Sequence, residues 1–403
     1  MNSKKTKTKI LLLVLLWVAL LCVAVTYTII WFKSLAVPSI RAGLLWSAVL
    51  VGLFLTINVR AVRLLLANLL AVLLACTAFE AYSEAHAVEV HEAPPTYSVG
   101  YFSSERGAVL GYGPKRGEVA HARLERAGKL IYDVHYGIDE SGLRVAPPVS
   151  GEPRGTLIFF GDSFGFGEGL SDTETLPYQV GLLTAGHYQV YNFAFHGYGP
   201  HQMLSALEHS LVKELVKPRG KVTVIYQGIP DHVRRVAGLA FFDTHGPRYV
   251  LDAGGVPRFS GHFDDGFEIF LRKLYVYRRF NDVRSEIDAR DIELYGAIVE
   301  RASELSQSLY PGATFDVLYW DMPEDRHTPA IAAELVRRGL RVHPMSQILP
   351  DYPRSEAAFT IPLDGHPNAR ADRLIAEYVA TRILADPSSP PAKLASDPDP
   401  SSP

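Results

Sequence analysis

The sequence is poor in cysteine, since Cys22 and Cys76 are the only two among its 403 residues. Both lie in apolar runs near the N-terminus, which disfavours a structural disulfide or a thiolate metal site. The long polar part of the chain that follows contains none, so a cysteine nucleophile is excluded there.

The chain also lacks a strong charge of either sign and any internal repeat. Its formal net charge is −3, and charged residues make up 21% of it. Nothing in this balance indicates the basic surface that binds nucleic acid, so no nucleic-acid partner is expected.

Apolar residues are concentrated in the first eighty positions. The run Ile10–Phe32 carries no charge. At about 1.5 Å per residue it is long enough to cross a hydrocarbon core of about 30 Å. Lysines precede the run, which favours a cytoplasmic N-terminus. The run is longer than the apolar core of about 7–15 residues in a signal peptide, so we predict an uncleaved anchor.

Two further apolar stretches are separated by a segment that contains Arg60 and Arg63. An arginine near the bilayer centre costs about 3 kcal/mol, so a short cytoplasmic loop is expected to hold both. This predicts a multi-pass inner-membrane protein whose main domain lies in the periplasm or outside the cell. Two spans with shielded arginines would instead leave that domain in the cytoplasm. The predicted anchor occupies residues 1–83, with helices at about 10–32, 42–57 and 64–79.

The rest of the chain divides into segments of different composition. Paired prolines stiffen a linker. Turn signals and a strand-like run at Lys129–Tyr136 indicate a small β-rich segment. A terminal stretch of Ser, Pro and Asp cannot bury a core. The predicted segments are a linker at 84–98, a β-rich lead-in at 99–150, an α/β domain at 151–385 and a disordered tail at 386–403.

From Gly155 onward, short apolar strands alternate with helices. This alternation predicts βαβ units and a parallel sheet covered on both faces. The stretch Ala237–Phe270 fits neither pattern and is interpreted as an irregular insertion. The predicted strands are Thr156–Phe160, Tyr188–Phe195, Lys221–Tyr226 and Thr314–Trp320, and the predicted helices are Gln202–Val216, Asp291–Leu309, Pro329–Arg338 and Ala369–Leu384.

A serine in a glycine-rich turn, Gly161–Gly165, follows directly on the first of these strands. Ligands enter open α/β sheets at the carboxyl ends of the strands, so Ser163 is a candidate nucleophile. The start of the following helix can direct backbone N–H groups at a developing oxyanion. A glycine-rich turn without catalytic function has the same pattern.

Asp364 and His366 lie in one short loop just before the last predicted helix. A serine hydroxyl needs an imidazole to remove its proton, and the imidazole needs a carboxylate to hold its tautomer. This loop supplies both groups. A third strand end, Tyr191–Pro200, contains Gly197, whose N–H is a candidate oxyanion donor or simply part of a turn.

The segments that contain Ser163, Gly197 and the Asp364–His366 pair follow one another in this order along the chain. Together they resemble the sequence blocks of the SGNH (GDSL) hydrolase superfamily over about residues 155–385. The resemblance implies a flavodoxin-like α/β sandwich with a parallel sheet, here preceded by transmembrane helices and the β-rich segment. It also implies Ser163 as nucleophile, Asp364 and His366 as its partners, and the amides of Ser163 and Gly197 as the oxyanion hole. No metal or cofactor is implied. The run Leu363–Ala369 is similar to membrane-attached, glycan-modifying members.

The sequence departs from the family pattern in two places. One residue separates Asp364 from His366 where the family usually has two, a form similar to that of some acyl-transferring relatives. The block Gly-x-Asn-Asp, whose Asn donates to the oxyanion, is here Gly228–Asp231, with Pro230 in the Asn position. Pro230 has no donor, and loss of one such donor costs about 10²–10³ in rate. The candidate substitutes are Gln227, His232 and Asn192.

The resemblance and the predicted topology favour a serine esterase acting on acyl esters, expected to be acetyl esters, of extracytoplasmic carbohydrate. One alternative is an O-acyltransferase that acylates a polysaccharide and depends on a membrane partner for its acyl donor. Another is a degenerate domain that binds glycan or acts as a scaffold. The Gly-x-Ser-x-Gly match to α/β-hydrolases is disfavoured, since those enzymes separate their Asp and His widely.

Overall fold

The computed structural model describes residues 19–28, 39–85, 94–240, 242–265, 274, 277, 287–322 and 324–385. The chain divides into two units, one formed by Met1–Val90 with Asp265–Glu286 and the other by His91–Asp264 with Ile287–Pro403. The predicted tail at 386–403, residues 86–93 of the predicted linker and much of the first predicted span lie outside the described residues.

The N-terminal unit contains the apolar helices α1 (Ala19–Thr28), α2 (Ser39–Thr56) and α3 (Arg60–Ala85). Among the described residues, only α3, with 26 residues, is long and apolar enough to cross a membrane. The structure therefore supports one span by length and composition, and the three-span arrangement stays a prediction.

The predicted arginine loop is shorter than expected. Arg60 and Arg63 lie in the first turn of α3, and only residues 57–59 separate it from α2. The Arg63 Nε donates to the carbonyl of Phe54 at 3.2 Å, which satisfies one of the unpaired carbonyl groups at the end of α2.

Gly43 of α2 lies against Thr77 of α3 with no room for a side chain, so a small residue lets the two helices approach closely.

The larger unit is built on a parallel five-stranded sheet, which confirms the predicted α/β fold. Its spatial order is β12-β11-β8-β6-β7. In chain order this is 2-1-3-4-5, the flavodoxin-like order, in which the chain reverses direction of winding beside the first strand. The strands are β6 (Gly155–Phe160), β7 (Tyr188–Asn192), β8 (Lys221–Gly228), β11 (Thr314–Tyr319) and β12 (Arg341–Pro344).

Helices cover both faces of this sheet, and alternate residues of β6 point into separate apolar layers. Ile158 and Phe160 belong to one layer and Leu157 and Phe159 to the other, and all four are almost fully buried. Burial on both sides explains why the strand is a continuous apolar run. The helices of this unit are α4 (Gly107–Leu110), α5 (Ser163–Phe166), α6 (Leu176–Leu183), α7 (Pro200–Glu208), α8 (Leu211–Leu215), α9 (Asp231–Val236), α10 (Ala289–Leu309), α11 (Thr328–Arg337) and α12 (Ala369–Tyr378).

The β-rich lead-in is not a separate module. It forms the antiparallel sheet β1-β4-β5 and the small pair β2-β3, and β1 already begins at Thr96, within the predicted linker. Its side chains Leu124 and Tyr136 belong to the same buried layer as Ile158 of the α/β domain. The lead-in strands are β1 (Thr96–Tyr97), β2 (Phe102–Ser103), β3 (Gly113–Pro114), β4 (Val119–Arg126) and β5 (Lys129–Gly137).

Two sequence-based assignments need correction. The predicted helix Gln202–Val216 is broken into α7 and α8 at Ser210, which has a left-handed φ of 65°. The stretch Ala237–Phe270, predicted to be irregular, contains an antiparallel hairpin of β9 (Pro247–Leu251) and β10 (Pro257–His262).

Candidate active site

Ser163 lies at the first position of α5, directly beyond the carboxyl end of β6. Asp162 caps this helix, with its Oδ1 accepting a hydrogen bond from the Phe164 N–H at 3.0 Å. The turn is tightly packed, since a Cβ placed on Gly165 would lie 3.0 Å from the Ala194 Cβ. The glycine-rich sequence therefore serves close packing under a serine held at the edge of the sheet.

The loop before α12 brings His366 to this serine. The His366 Nε2 lies 2.9 Å from the Ser163 Oγ, and its Nδ1 lies 2.6 Å from the Asp364 Oδ2. An ionised carboxylate only accepts hydrogen bonds, so the Nδ1 carries the proton donated to Asp364. The Nε2 of the neutral ring is then free to accept from the serine hydroxyl.

A tight turn explains how a one-residue spacing still lets Asp364 reach the ring of His366. The Ile361 N–H donates to the His366 carbonyl at 2.7 Å, and the Asp364 N–H donates back to the Ile361 carbonyl at 3.1 Å. Gly365 has a left-handed φ of 88°, which favours glycine between Asp364 and His366. The chain reversal thus folds the carboxylate back onto the imidazole of the same loop.

Gly197 also adopts a left-handed conformation, with φ of 72°. A Cβ at this position would lie 2.6 Å from the Tyr112 Oη, so the site admits no side chain. Among the described residues, the backbone N–H groups of Ser163 and Gly197 donate no hydrogen bond. Both groups are thus available to a ligand.

The segment that carries Pro230 leads into a helix that contacts the serine turn. Pro230 precedes α9, whose Arg235 Nη1 lies 2.9 Å from the Asp162 Oδ2 and donates to the Tyr198 carbonyl at 2.6 Å. Burial opposes the charge of Asp162, but the positive charge of Arg235 outweighs it and holds the pKa of this carboxyl well below its usual range. A buried ion pair therefore joins α9 to the cap of α5.

The three candidate substitutes for the missing Asn have different surroundings. Asn192 is occupied, since its Nδ2 donates to the Gly165 carbonyl at 3.1 Å and its Oδ1 accepts from the Ala194 N–H at 3.0 Å. His232 is occupied by the Tyr226 hydroxyl at 2.6 Å, and burial lowers its pKa.

Gln227 differs from the other two candidates. Its side chain is buried, and neither its Nε2 nor its Oε1 has a hydrogen-bond partner among the described residues. A Cβ on Gly165 would lie 3.3 Å from the Gln227 Oε1, so the unpaired amide lies beside the serine turn.

Two residues that sequence reasoning missed act on the turn. Arg144, from the end of the lead-in, is fully buried, and its Nη1 donates to the carbonyls of Phe166 and Gly167 at 2.7 and 2.6 Å. Its guanidinium also lies 4.5 Å from the centroid of the Tyr136 ring. No sequence motif links Arg144 to the serine turn, although Ser163 follows it closely in the chain.

The second missed residue is Glu168, in the loop that follows α5. Its Oε2 lies 3.5 Å from the His366 Nε2, the same nitrogen that contacts Ser163. Burial opposes the charge of His366, but the negative charges of Glu168 and Asp364 outweigh it and raise the pKa of His366 to about 9. The one sequence signal for Glu168 was its position between Gly167 and Gly169, shortly after Ser163.

In the described ranges, no group of three or more His, Cys, Asp or Glu side chains could hold a metal ion. The arrangement found is that of a serine hydroxyl, an imidazole and a carboxylate in one chain of hydrogen bonds.

No family model matches the sequence, and a search of the curated proteins found no match either. Solved structures do resemble the chain. One is a member of the lipolytic protein G-D-S-L family from Veillonella parvula DSM 2008, with 12% identity, 57% of this chain and 98% of that chain covered, and a TM-score of 0.34.

Two further structures are similar at the same level. The psychrotrophic esterase EstA from Pseudoalteromonas sp. has 12% identity and a TM-score of 0.34, with 57% of this chain and 96% of that chain covered. A carbohydrate esterase family 2 enzyme with a carbohydrate-binding domain from Corynascus thermopiles has 16% identity and a TM-score of 0.31, with 60% and 69% covered. Because these TM-scores are low, the fold assignment rests on the strand order of this chain.

Proposed function

We propose that the protein is a serine esterase in which Ser163 is the nucleophile, His366 the general base and Asp364 the residue that orients it. The observation that carries this proposal is the continuous chain of contacts, 2.9 Å from the serine Oγ to the His366 Nε2 and 2.6 Å from its Nδ1 to Asp364. These distances are within the hydrogen-bond reach that nucleophile activation needs.

In the proposed first step, the Ser163 Oγ attacks the acyl carbonyl while His366 takes its proton. The carbonyl oxygen becomes an anion, which the N–H groups of Ser163 and Gly197 stabilise. His366 then gives the proton to the leaving alcohol, which departs and leaves an acyl-serine. Water attacks this ester in the second step, with His366 again taking the proton, and Ser163 is released together with the carboxylic acid.

We propose Gln227 as the third oxyanion donor, in place of the Asn that Pro230 replaces. Its support is the unpaired buried amide beside Gly165, whereas the amide of Asn192 already has partners. The His232 Nδ1 contacts the Tyr226 hydroxyl, and its Nε2 lies 3.3 Å from the Asp162 Oδ2, so both ring nitrogens face groups of the protein. A buried amide without a partner is destabilising, which suggests that its hydrogen-bonding capacity is used when a ligand is bound.

The substrate class we propose is an acyl ester, in particular an acetyl ester, of carbohydrate outside the cytoplasm. The motif resemblance and the apolar N-terminal unit support it. If a sugar hydroxyl replaces water in the second step, the same site performs O-acyl transfer, and a membrane partner would supply the acyl donor. A glycan-binding module without catalysis is the remaining candidate, favoured by Pro230, whose side chain has no hydrogen-bond donor.

Covalent labelling tests the proposal directly. The full-length protein, purified in detergent, should react with an organophosphonate at Ser163 and hydrolyse p-nitrophenyl acetate. Ser163→Ala should abolish both reactions, whereas Ser141→Ala, in a turn outside the site, should retain them. Labelling at another residue, or turnover equal to that of Ser163→Ala, would favour the binding module.

A further inference from the structure

His366 has a carboxylate on each side of its ring. Asp364 contacts the Nδ1, and the Glu168 Oε2 lies 3.5 Å from the Nε2. The Glu168 side chain is only 7% exposed, so water screens its charge poorly. A triad as usually described has a carboxylate on the Nδ1 side alone, which leaves Glu168 without a role.

The surroundings of Glu168 fix its position. Its Oε1 accepts hydrogen bonds from the hydroxyl groups of Tyr97 at 2.7 Å and Tyr132 at 3.2 Å, both from the lead-in. Its Oε2 is 2.7 Å from the His196 Nδ1. Its backbone N–H donates to the Ser163 carbonyl at 2.9 Å. The carboxylate is therefore held against the base by groups from four separate stretches of chain.

Glu168 is unsuited to act as a second base. A carboxylate has about four acceptor positions, and here two tyrosine hydroxyls and one histidine already use three of them. Burial opposes its charge, but its interactions with His196 and His366 outweigh burial and hold the pKa of Glu168 well below its usual range. The residue thus presents a permanent negative charge that does not itself take up a proton.

We propose that Glu168 is a positioning residue whose fixed negative charge stabilises the protonated form of His366, the form produced when the imidazole takes the proton of Ser163. This inference rests on the esterase proposed above and deepens it. The Nε2 acquires its proton in the first step, and it is this atom that faces Glu168. The stabilisation is therefore greatest when the Nε2 carries the new proton.

The same charge also acts on the resting enzyme. Since the pKa of His366 is raised to about 9, most of the imidazole is protonated at neutral pH, and only the deprotonated fraction can accept the serine proton there. The charged groups around the ring are Asp364 on its own loop, Glu168 after α5 and Asp162 at the end of β6, and all three raise this pKa. Activity should therefore increase as the pH rises toward the pKa of His366.

The test compares full-length wild type with Glu168→Gln, which keeps the shape and removes the charge. We expect the acid limb of kcat/KM for p-nitrophenyl acetate to move to lower pH by about one unit or more, as removal of a charge within about 4–6 Å implies. The matched control is Tyr97→Phe, which removes one hydrogen bond to the carboxylate and keeps its charge. Its acid limb should not move to lower pH.

A second measurement does not depend on turnover. In protein with ¹³C-labelled histidine, the NMR signal assigned by its loss in His366→Gln should titrate well above the ordinary histidine value of about 6.5, and at lower pH in Glu168→Gln. A wild-type His366 that titrates at or below about 6.5 would overturn the inference even if Glu168→Gln did not fold. If the protein lacked esterase activity, the titration would still decide this point separately from the proposed function.

Discussion

Replacing Asp364 with Asn examines the proposed triad at the contact that fixes the tautomer of His366. The carboxylate lies 2.6 Å from the Nδ1, and the isosteric amide can instead donate to this nitrogen, which moves the ring proton to the Nε2. The Glu168 Oε2, 3.5 Å from the Nε2, favours that same wrong tautomer. The Nε2 then cannot accept the proton of Ser163.

We expect Asp364→Asn to lower kcat for p-nitrophenyl acetate by about 10⁴, the effect of this change in a Ser-His-Asp triad, or about 5 kcal/mol in the barrier. Asp351→Asn, the same change at an exposed position, should leave kcat unchanged. In the double variant with Glu168→Gln, the effects of the two substitutions on kcat should not be additive, since both changes act on one ring. An Asp364→Asn enzyme within tenfold of wild type would refute the tautomer argument.

Two further predictions follow from buried polar groups. Gln227→Leu should lower kcat/KM by about 10²–10³, because it removes the proposed oxyanion donor. Thermal stability should change little, since this amide has no partner in the free protein. A change in kcat/KM of less than about threefold would exclude the role. Burial raises the pKa of Asp372 from 3.8 to about 8, so the protonated acid is the form that folding favours. The free energy of unfolding should therefore fall as pH rises from about 4 to about 8, and Asp372→Asn should remove most of this fall in melts across that range.

The strands that carry the site were predictable because they are buried on both faces and therefore read as apolar runs. The serine turn and the Asp364–His366 loop were found by their position after or before such elements. The edge strand β12 was missed, since it has four residues, begins with Arg341 and ends with Pro344. An edge strand pairs on one side only and carries a weaker apolar signal.

The remaining errors have tertiary causes. One continuous helix was predicted across Ser210 because α7 and α8 both bury apolar residues, so the apolar pattern does not stop between them. The break itself is a backbone feature, the left-handed φ of 65° at Ser210. The hairpin of β9 and β10 was not predicted, because its glycines and aromatic residues obscure the strand pattern. Arg144 and Glu168 could not be assigned from sequence, since their partners are brought together only by folding.

The shared core of the lead-in and the α/β domain determines which recombinant fragments of this protein can fold. A recombinant fragment that began at Gly151 would lose Arg144 together with the Tyr97 and Tyr132 hydroxyls, and would expose the apolar layer that contains Ile158. Such a fragment is expected to be insoluble, whereas one that begins upstream of Thr96 retains all of these groups. Sequence alignments confined to the motif-bearing region would therefore place the start of the foldable domain some fifty residues too late, counting from Thr96 to about 150.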